Sequence, residues 1–150
     1  RNRNRIRDMK ILVAVDGSRG SLDAVQCLID HADWFRDKPE VHVVTVHLPV
    51  PQLPRMGMAV GKAQIQKYYE EEGQSRLAAA KRKLDAAGIA YQAQVLVGPV
   101  AETIVKYAKD KRCDLIYVGT RGMTEIGKAL VGSTATKILH IAHTPVLLVK

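Results

Sequence analysis

The stretch LIYVGTRGMTEIGKALVGST, residues 115–134, decides how this chain is read. It begins as a short apolar run of strand character, passes glycines at 119, 122, 127 and 132, and ends on Ser133 and Thr134, where a helical pattern starts. Inside it, Gly122 to Lys128 spells G-x-x-x-x-G-K, most of a Walker A loop. That loop needs Ser or Thr after its lysine, because the hydroxyl ligates the magnesium of a bound nucleotide, and here the next residue is Ala129. It should also run from strand directly into helix, whereas a further glycine, Gly132, still follows Lys128. The P-loop is rejected.

Counted from the strand, the spacing is G-x2-G-x9-G-S, formed by Gly119, Gly122, Gly132 and Ser133. Such a segment can make a cradle with two walls. Gly119 and Gly122 carry no Cβ, so positive φ values and a close approach of backbone N–H groups to a phosphate are open to them. Gly132 and Ser133 open a helix whose unpaired N–H groups and positive dipole end suit the same anion. The Ser133 hydroxyl either caps that helix or donates to a ligand oxygen.

Outward from this segment, apolar runs at residues 11–15, 41–46, 91–97, 115–118 and 146–149 alternate with helical stripes. The stripes are Leu22/Val25/Ile29/Ala32; Ile65/Tyr69/Leu77/Ala80/Leu84/Ala87, with Gly73 falling on it and Gly88 stopping it; Val100/Ile104/Val105/Ala108; and Ala135/Ile138/Leu139/Ala142. The pattern β-α-β-α-β-α-β-α-β, with strands nearly continuous in Val, Ile and Leu, predicts an α/β fold: a five-stranded parallel, doubly wound, Rossmann-like sheet with helices on both faces. Residues 9–150 read as one domain, and residues 1–8 as an appended or disordered arm ahead of a natural start at Met9. The first strand runs into Asp16-Gly17-Ser18, which places a carboxylate at the carboxyl end of a strand, where open sheets bind ligands. On local grounds alone the same residues make an Asx turn. The proline-rich segment 48–60 follows the second strand on that side, as a lid or as a surface loop.

Composition narrows the classes. With 47% hydrophobic and 25% charged residues the 150-residue chain is ordinary globular protein. Its net charge of +8 owes four charges to Arg1, Arg3, Arg5 and Arg7; the remainder holds 19 basic against 15 acidic residues, which argues against a nucleic-acid module. No apolar run reaches membrane-spanning length and no signal peptide opens the chain, so a cytoplasmic location is expected. Cys27 and Cys113 stand in no zinc or C-x-x-C spacing, and His140 and His143, which could share one helix turn, lack further ligands. The five histidines read as satisfied or surface residues.

VAVDGS at residues 13–18, the G-x2-G-x9-G-S spacing and TPVLLVK at the end together resemble the universal stress protein family, over about Met9 to Lys150. The glycine spacing is that of its ATP-binding subgroup. The resemblance implies strand order 3-2-1-4-5, so that the first and fourth strands share a crevice. It further implies ATP, or ADP or AMP, with magnesium. Asp16 would lie on the ribose or metal side and the backbone of Val46 at adenine, with Ala14 also among the nucleotide-binding residues. Gly119, Thr120, Arg121, Gly122, Gly132, Ser133 and Thr134 would lie around ribose and phosphate. It implies a homodimer through Val146–Val149 acting as a nucleotide-dependent switch in the stress response, with slow ATP hydrolysis or self-phosphorylation at the same site as the alternative. No catalytic residue is assigned. Two departures stand out: RNRNRIRD has no family counterpart, and Thr134 replaces a small apolar residue beside the serine.

Overall fold

A computed structural model describes residues 8–51, 61–120 and 131–150. Five strands, β1 (Lys10–Ala14), β2 (Glu40–His47), β3 (Tyr91–Val97), β4 (Leu115–Gly119) and β5 (Val146–Val149), form one parallel sheet in the order β3-β2-β1-β4-β5. Four helices connect or follow them: α1 (Arg19–Asp30), α2 (Lys62–Ala86), α3 (Val100–Asp110) and α4 (Ser133–Ile141). The order is the expected one. β1 lies at the centre, with Ile11 beside Val41 of β2 and Leu115 of β4.

Side-chain alternation along the central strands is apolar on both faces. Ile11, Val13, Val41, Val43 and Tyr117 pack under α1 and α2, while Leu12, Val44, Val46, Ile116 and Val118 pack under α3 and α4. A strand with no polar face has to be covered twice, which parallel crossovers achieve. The proline-rich segment lies outside the described residues from 52 to 60, after Val50, whose N–H donates to the Tyr69 hydroxyl at 2.6 Å.

The middle of the α2 stripe is as expected, with Tyr69, Gly73, Leu77, Ala80 and Leu84 buried, but at its ends Ile65 is half-buried and Ala87, the C-cap, is exposed. The helix closes in a Schellman motif, with Gly88 at φ +68°, its N–H bonded to the Asp85 carbonyl and that of Ile89 to the Leu84 carbonyl. α3 ends in the same pair of bonds with Arg112 at φ +55° in the left-handed position.

The other stripes differ. In α1 the buried residues are Gly20, Ser21, Ala24, Val25 and Leu28, Leu22 and Ile29 are half-buried, and Ala32 falls in a 3-10 turn beyond the helix. In α3, Ala101 and Tyr107 are buried where Val100 and Val105 are only half so. α4 ends at Ile141, which leaves Leu139 46% exposed, makes Ala142 the C-cap and sets His143 past the helix, away from a shared turn with His140.

One glycine on α2 sets its distance from the sheet. A Cβ on Gly73 would overlap both γ-methyl groups of Val95, the β3 partner of Thr45. Ala gains about 1 kcal/mol over Gly in helix propensity, but overpacking costs about 1–3 kcal/mol. Gly73→Ala should therefore lower stability in urea unfolding. In a Val95→Ala background, where of the valine only the Cβ, 2.9 Å from the added carbon, remains in the way, the same change should cost less.

Candidate functional site

The crevice follows from the strand order. The chain leaves β1 toward β2 and leaves β4 toward β5, so the connections part at the carboxyl ends of β1 and β4. Beyond Ala14, the Val15 N–H still bonds the Val44 carbonyl at 2.9 Å; the chain then turns at Asp16. Asp16 Oδ1 accepts from the Ser18 N–H at 2.8 Å, the Asx turn that its local sequence allows. Ser18 caps α1 by accepting from the Ser21 N–H, and Gly17 takes φ +82° above Arg76 of α2. One carboxylate oxygen is thus used by the turn that positions Asp16 at the crevice.

Gly119 ends β4, and the reason for a glycine there differs from the sequence expectation. Its φ is not among the positive ones; a Cβ would instead run into the Gly20 carbonyl group and approach the Ser21 nitrogen to 3.1 Å. Gly119 lets the first turn of α1 press against the end of β4. Gly132 likewise has an ordinary φ of −57°.

Among the described residues, the two walls of the glycine motif meet at Thr120. Thr120, buried, donates its N–H to the Val149 carbonyl at 2.9 Å and accepts at its own carbonyl from the Gly132 N–H at 2.8 Å. Gly132 is the N-cap of α4 and makes no side-chain cap bond, which places Ser133 at the first helical position rather than at the cap. The first intrahelical bond runs from the Thr136 N–H to the Gly132 carbonyl, so the N–H groups of Ser133, Thr134 and Ala135 precede any intrahelical acceptor. Ser133 and Thr134 are exposed. Arg121 and Gly122 lie outside the described residues.

Val46 supplies the remaining wall. Successive residues of a parallel strand direct their main-chain groups to alternate sides. The Val44 carbonyl faces β1, where it accepts from Val15, and the His47 carbonyl faces β3, where it accepts from Gly98 at 2.8 Å. Val46 therefore turns its N–H and C=O to the β1 side, beyond the point where β1 ends. Ala14, Asp16, Val46, Gly119, Thr120, Gly132, Ser133 and Thr134 thus line the carboxyl edge of the sheet around one switch point. Chemically they offer main-chain donors and acceptors, hydroxyls and one carboxylate. Among the described residues no cluster of His, Cys, Asp or Glu is arranged to hold a metal ion, both cysteines are free, and no helix is long and apolar enough to cross a membrane.

Two histidines of β2 were grouped with the satisfied or surface residues, and only one fits. His42 is buried with both ring nitrogens engaged: Nε2 donates to Glu40 Oε1 and Nδ1 accepts from the Tyr107 hydroxyl, each at 2.8 Å. The His42 hydrogen bond, joined by Lys10, holds the Glu40 carboxyl below the usual carboxylate range. Among the described residues, His47 Nε2 (residue 5% exposed) makes no hydrogen bond, nor does Thr45 Oγ1 (0% exposed), nor Arg76 Nε, which has only the Glu72 carboxylate at 3.8 Å. Burial first, and the Arg76 guanidinium second, push the His47 pKa below 6.5, against a smaller opposing pull from Glu72. The sequence signal is parity: Thr45 and His47 stand two apart on the face of β2 that otherwise carries Val41 and Val43.

A model of the universal stress protein family matches residues 9–150. Universal stress protein MJ0531 of Methanocaldococcus jannaschii is 36% identical over 143 residues, covering 94% of this chain and 81% of that one. The solved structure of MJ0577, a universal stress protein of the same organism, superposes with a TM-score of 0.77 at 26% identity over 95% of each chain. Two structures with ligands share the fold at lower identity. One is a universal stress protein in complex with cAMP, with 24% identity, TM-score 0.68, and 95% of this chain and 97% of that one covered. The other is a family member from Arabidopsis thaliana with AMP bound, with 16% identity, TM-score 0.66, and 95% and 91% covered.

The lowered pKa of His47 has a sign. A histidine that ionises less readily in the folded protein leaves the unfolded chain binding more protons around and below pH 6.5. Its contribution is present above that pH and is lost as pH falls. Urea midpoints should therefore drop between pH 7 and pH 5, and His47→Gln should flatten that drop.

Proposed function

Because the chain belongs to the universal stress protein family, we propose that it is a regulatory protein of the stress response that binds ATP, or ADP or AMP, at the β1–β4 crevice. Nucleotide occupancy acts as its switch. The observation that carries this reading is the Gly132 N–H to Thr120 C=O bond, which brings the start of α4 to the end of β4 beside β1. Three N–H groups at that helix start, and the dipole behind them, suit a phosphate. AMP and cAMP, held by the two structural neighbours, share an adenine, a ribose and a phosphate, the parts that this edge can address.

The residues fit those parts in turn. The N–H and C=O of Val46 match the donor and acceptor pattern of an adenine edge. Asp16, one oxygen already used by its turn, offers the other to ribose hydroxyls or to magnesium carried by the phosphates. Ala14 floors the crevice between Asp16 and the ladder. Gly132, Ser133 and Thr134 receive phosphate, with Gly119 and Thr120 behind them and Arg121 and Gly122 completing the motif by sequence.

Equipment for binding exceeds equipment for reaction. Phosphoryl transfer needs charge neutralisation on the leaving oxygens and a group that orients water. Among the described residues of the proposed site, Asp16 is the single ionisable side chain. A switch is therefore preferred to an ATPase.

Assembly belongs to the same proposal. β5 is a sheet edge of four half-buried aliphatic residues, and two-fold antiparallel pairing of Val146–Val149 covers it.

Calorimetric titration with ATP and AMP should give binding to the wild type. Gly132→Val, which puts a branched side chain beside the phosphate donors, should weaken it more than tenfold, about 1.4 kcal/mol, with the circular dichroism unchanged. Equal affinity in the variant defeats the assignment. Light scattering at micromolar concentration should give twice the 16.5 kDa chain mass, and a monomer there removes β5 as an interface.

A further inference from the structure

We infer that Thr45, His47 and Arg76 enclose an internal water-binding site on the α2 face of β2, directly behind the crevice wall formed by Val46. The inference stands apart from the nucleotide reading, since none of its three residues is among those proposed to hold the nucleotide. Thr45 and His47 project from one face of β2, and α2 crosses that face: Gly73 lies against Val95, the register partner of Thr45, and the Tyr69 ring lies 5.8 Å from that of His47. Arg76 follows Gly73 by three residues, one turn on, and reaches the Asp16–Gly17 turn. Three buried polar atoms, Thr45 Oγ1, His47 Nε2 and Arg76 Nε, make no hydrogen bond among the described residues.

Their chemistry suits one small amphoteric guest. Arg76 Nε–H can only donate, so the guest must accept. His47 is held toward its neutral form by burial and by Arg76, so a ring nitrogen can accept a hydrogen bond from the guest. The Thr45 hydroxyl can do either. A water that accepts from Arg76, donates to His47 and bonds Thr45 has three partners, the usual number for buried water. Other charged or titratable groups facing His47 are Glu72, which pairs with Arg76 Nε at 3.8 Å, and the phenols of Tyr68 and Tyr69. The water then ties α2, the end of β2 and the Asp16 turn into one unit behind the crevice.

Crystals of the wild-type protein that diffract well enough to place solvent should show ordered water within hydrogen-bond distance of at least two of the three atoms. Finding the three packed dry overturns the inference. Thr45→Val is the test in solution, because it keeps the shape and removes the hydroxyl. In a hydrated site it leaves the water one partner short, and the melting temperature should fall by about 3 °C or more. In a dry site it deletes an unsatisfied group, so an unchanged or higher melting temperature also overturns the inference. Titration with AMP is read separately: a protein that shows the water and the fall in melting temperature yet binds no AMP refutes the nucleotide reading and upholds this one.

Discussion

The contact on which the rest of the carboxyl edge depends is the approach of the first turn of α1 to the end of β4, possible only because Gly119 has no side chain. It fixes α1 over the junction of β1 and β4, and with it the turn at Asp16 and the cap at Ser18 that lead into the helix. On the other face, the Gly132 to Thr120 bond brings α4 to the same strand end. The crevice is therefore shaped by main chain against main chain. Little of its geometry depends on long side chains, whose rotamer freedom would have to be given up on binding.

Two histidines on β2 show how the faces of one strand solve the same problem differently. On the α3 side, His42 is closed between Tyr107 and Glu40, and the pair of partners defines its tautomer. On the α2 side, His47 meets a cation and two aromatic rings, none of which bonds Nε2. A buried imidazole left that way costs about 1–3 kcal/mol, a large share of ordinary domain stability. The first arrangement is structural cement at the amino end of the sheet. The second lies at the carboxyl end, behind the ligand edge.

Much of this was legible in the sequence because the signals were backbone signals. Runs of Val, Ile and Leu located all five strands, and a long stripe with Gly73 and Gly88 located α2. The meeting of the β4 end with the α4 start needed only spacing, since a strand end and a helix start were fixed on either side. What failed was the facing of α1. Periodicity favours the largest apolar residues as the core stripe, so Leu22 and Ile29 were expected inside; but a helix pressed this close to a sheet turns its smallest residues, Gly20, Ser21 and Ala24, toward the contact. Leu139 was misplaced for a related reason, since its exposure depends on what lies beyond α4 and not on the helix itself. His47 was missed because hydrogen-bond satisfaction depends on the partner helix, about thirty residues further along the chain.

The central position of β1 bears on how the protein is made. β1 leaves the ribosome before the other four strands of the sheet, yet its second neighbour, β4, begins about 70 residues after β2 ends. At roughly 5–20 residues per second, the growing chain carries β1 with one side uncovered for roughly 4–14 s. During that time Ile11 and Val13 sit on an open edge of the kind that pairs with the wrong partner. Chaperones that shield nascent strands would therefore matter most between the synthesis of β2 and that of β4, and a slow stretch of translation placed there would lower the yield of folded protein more than one placed after β4.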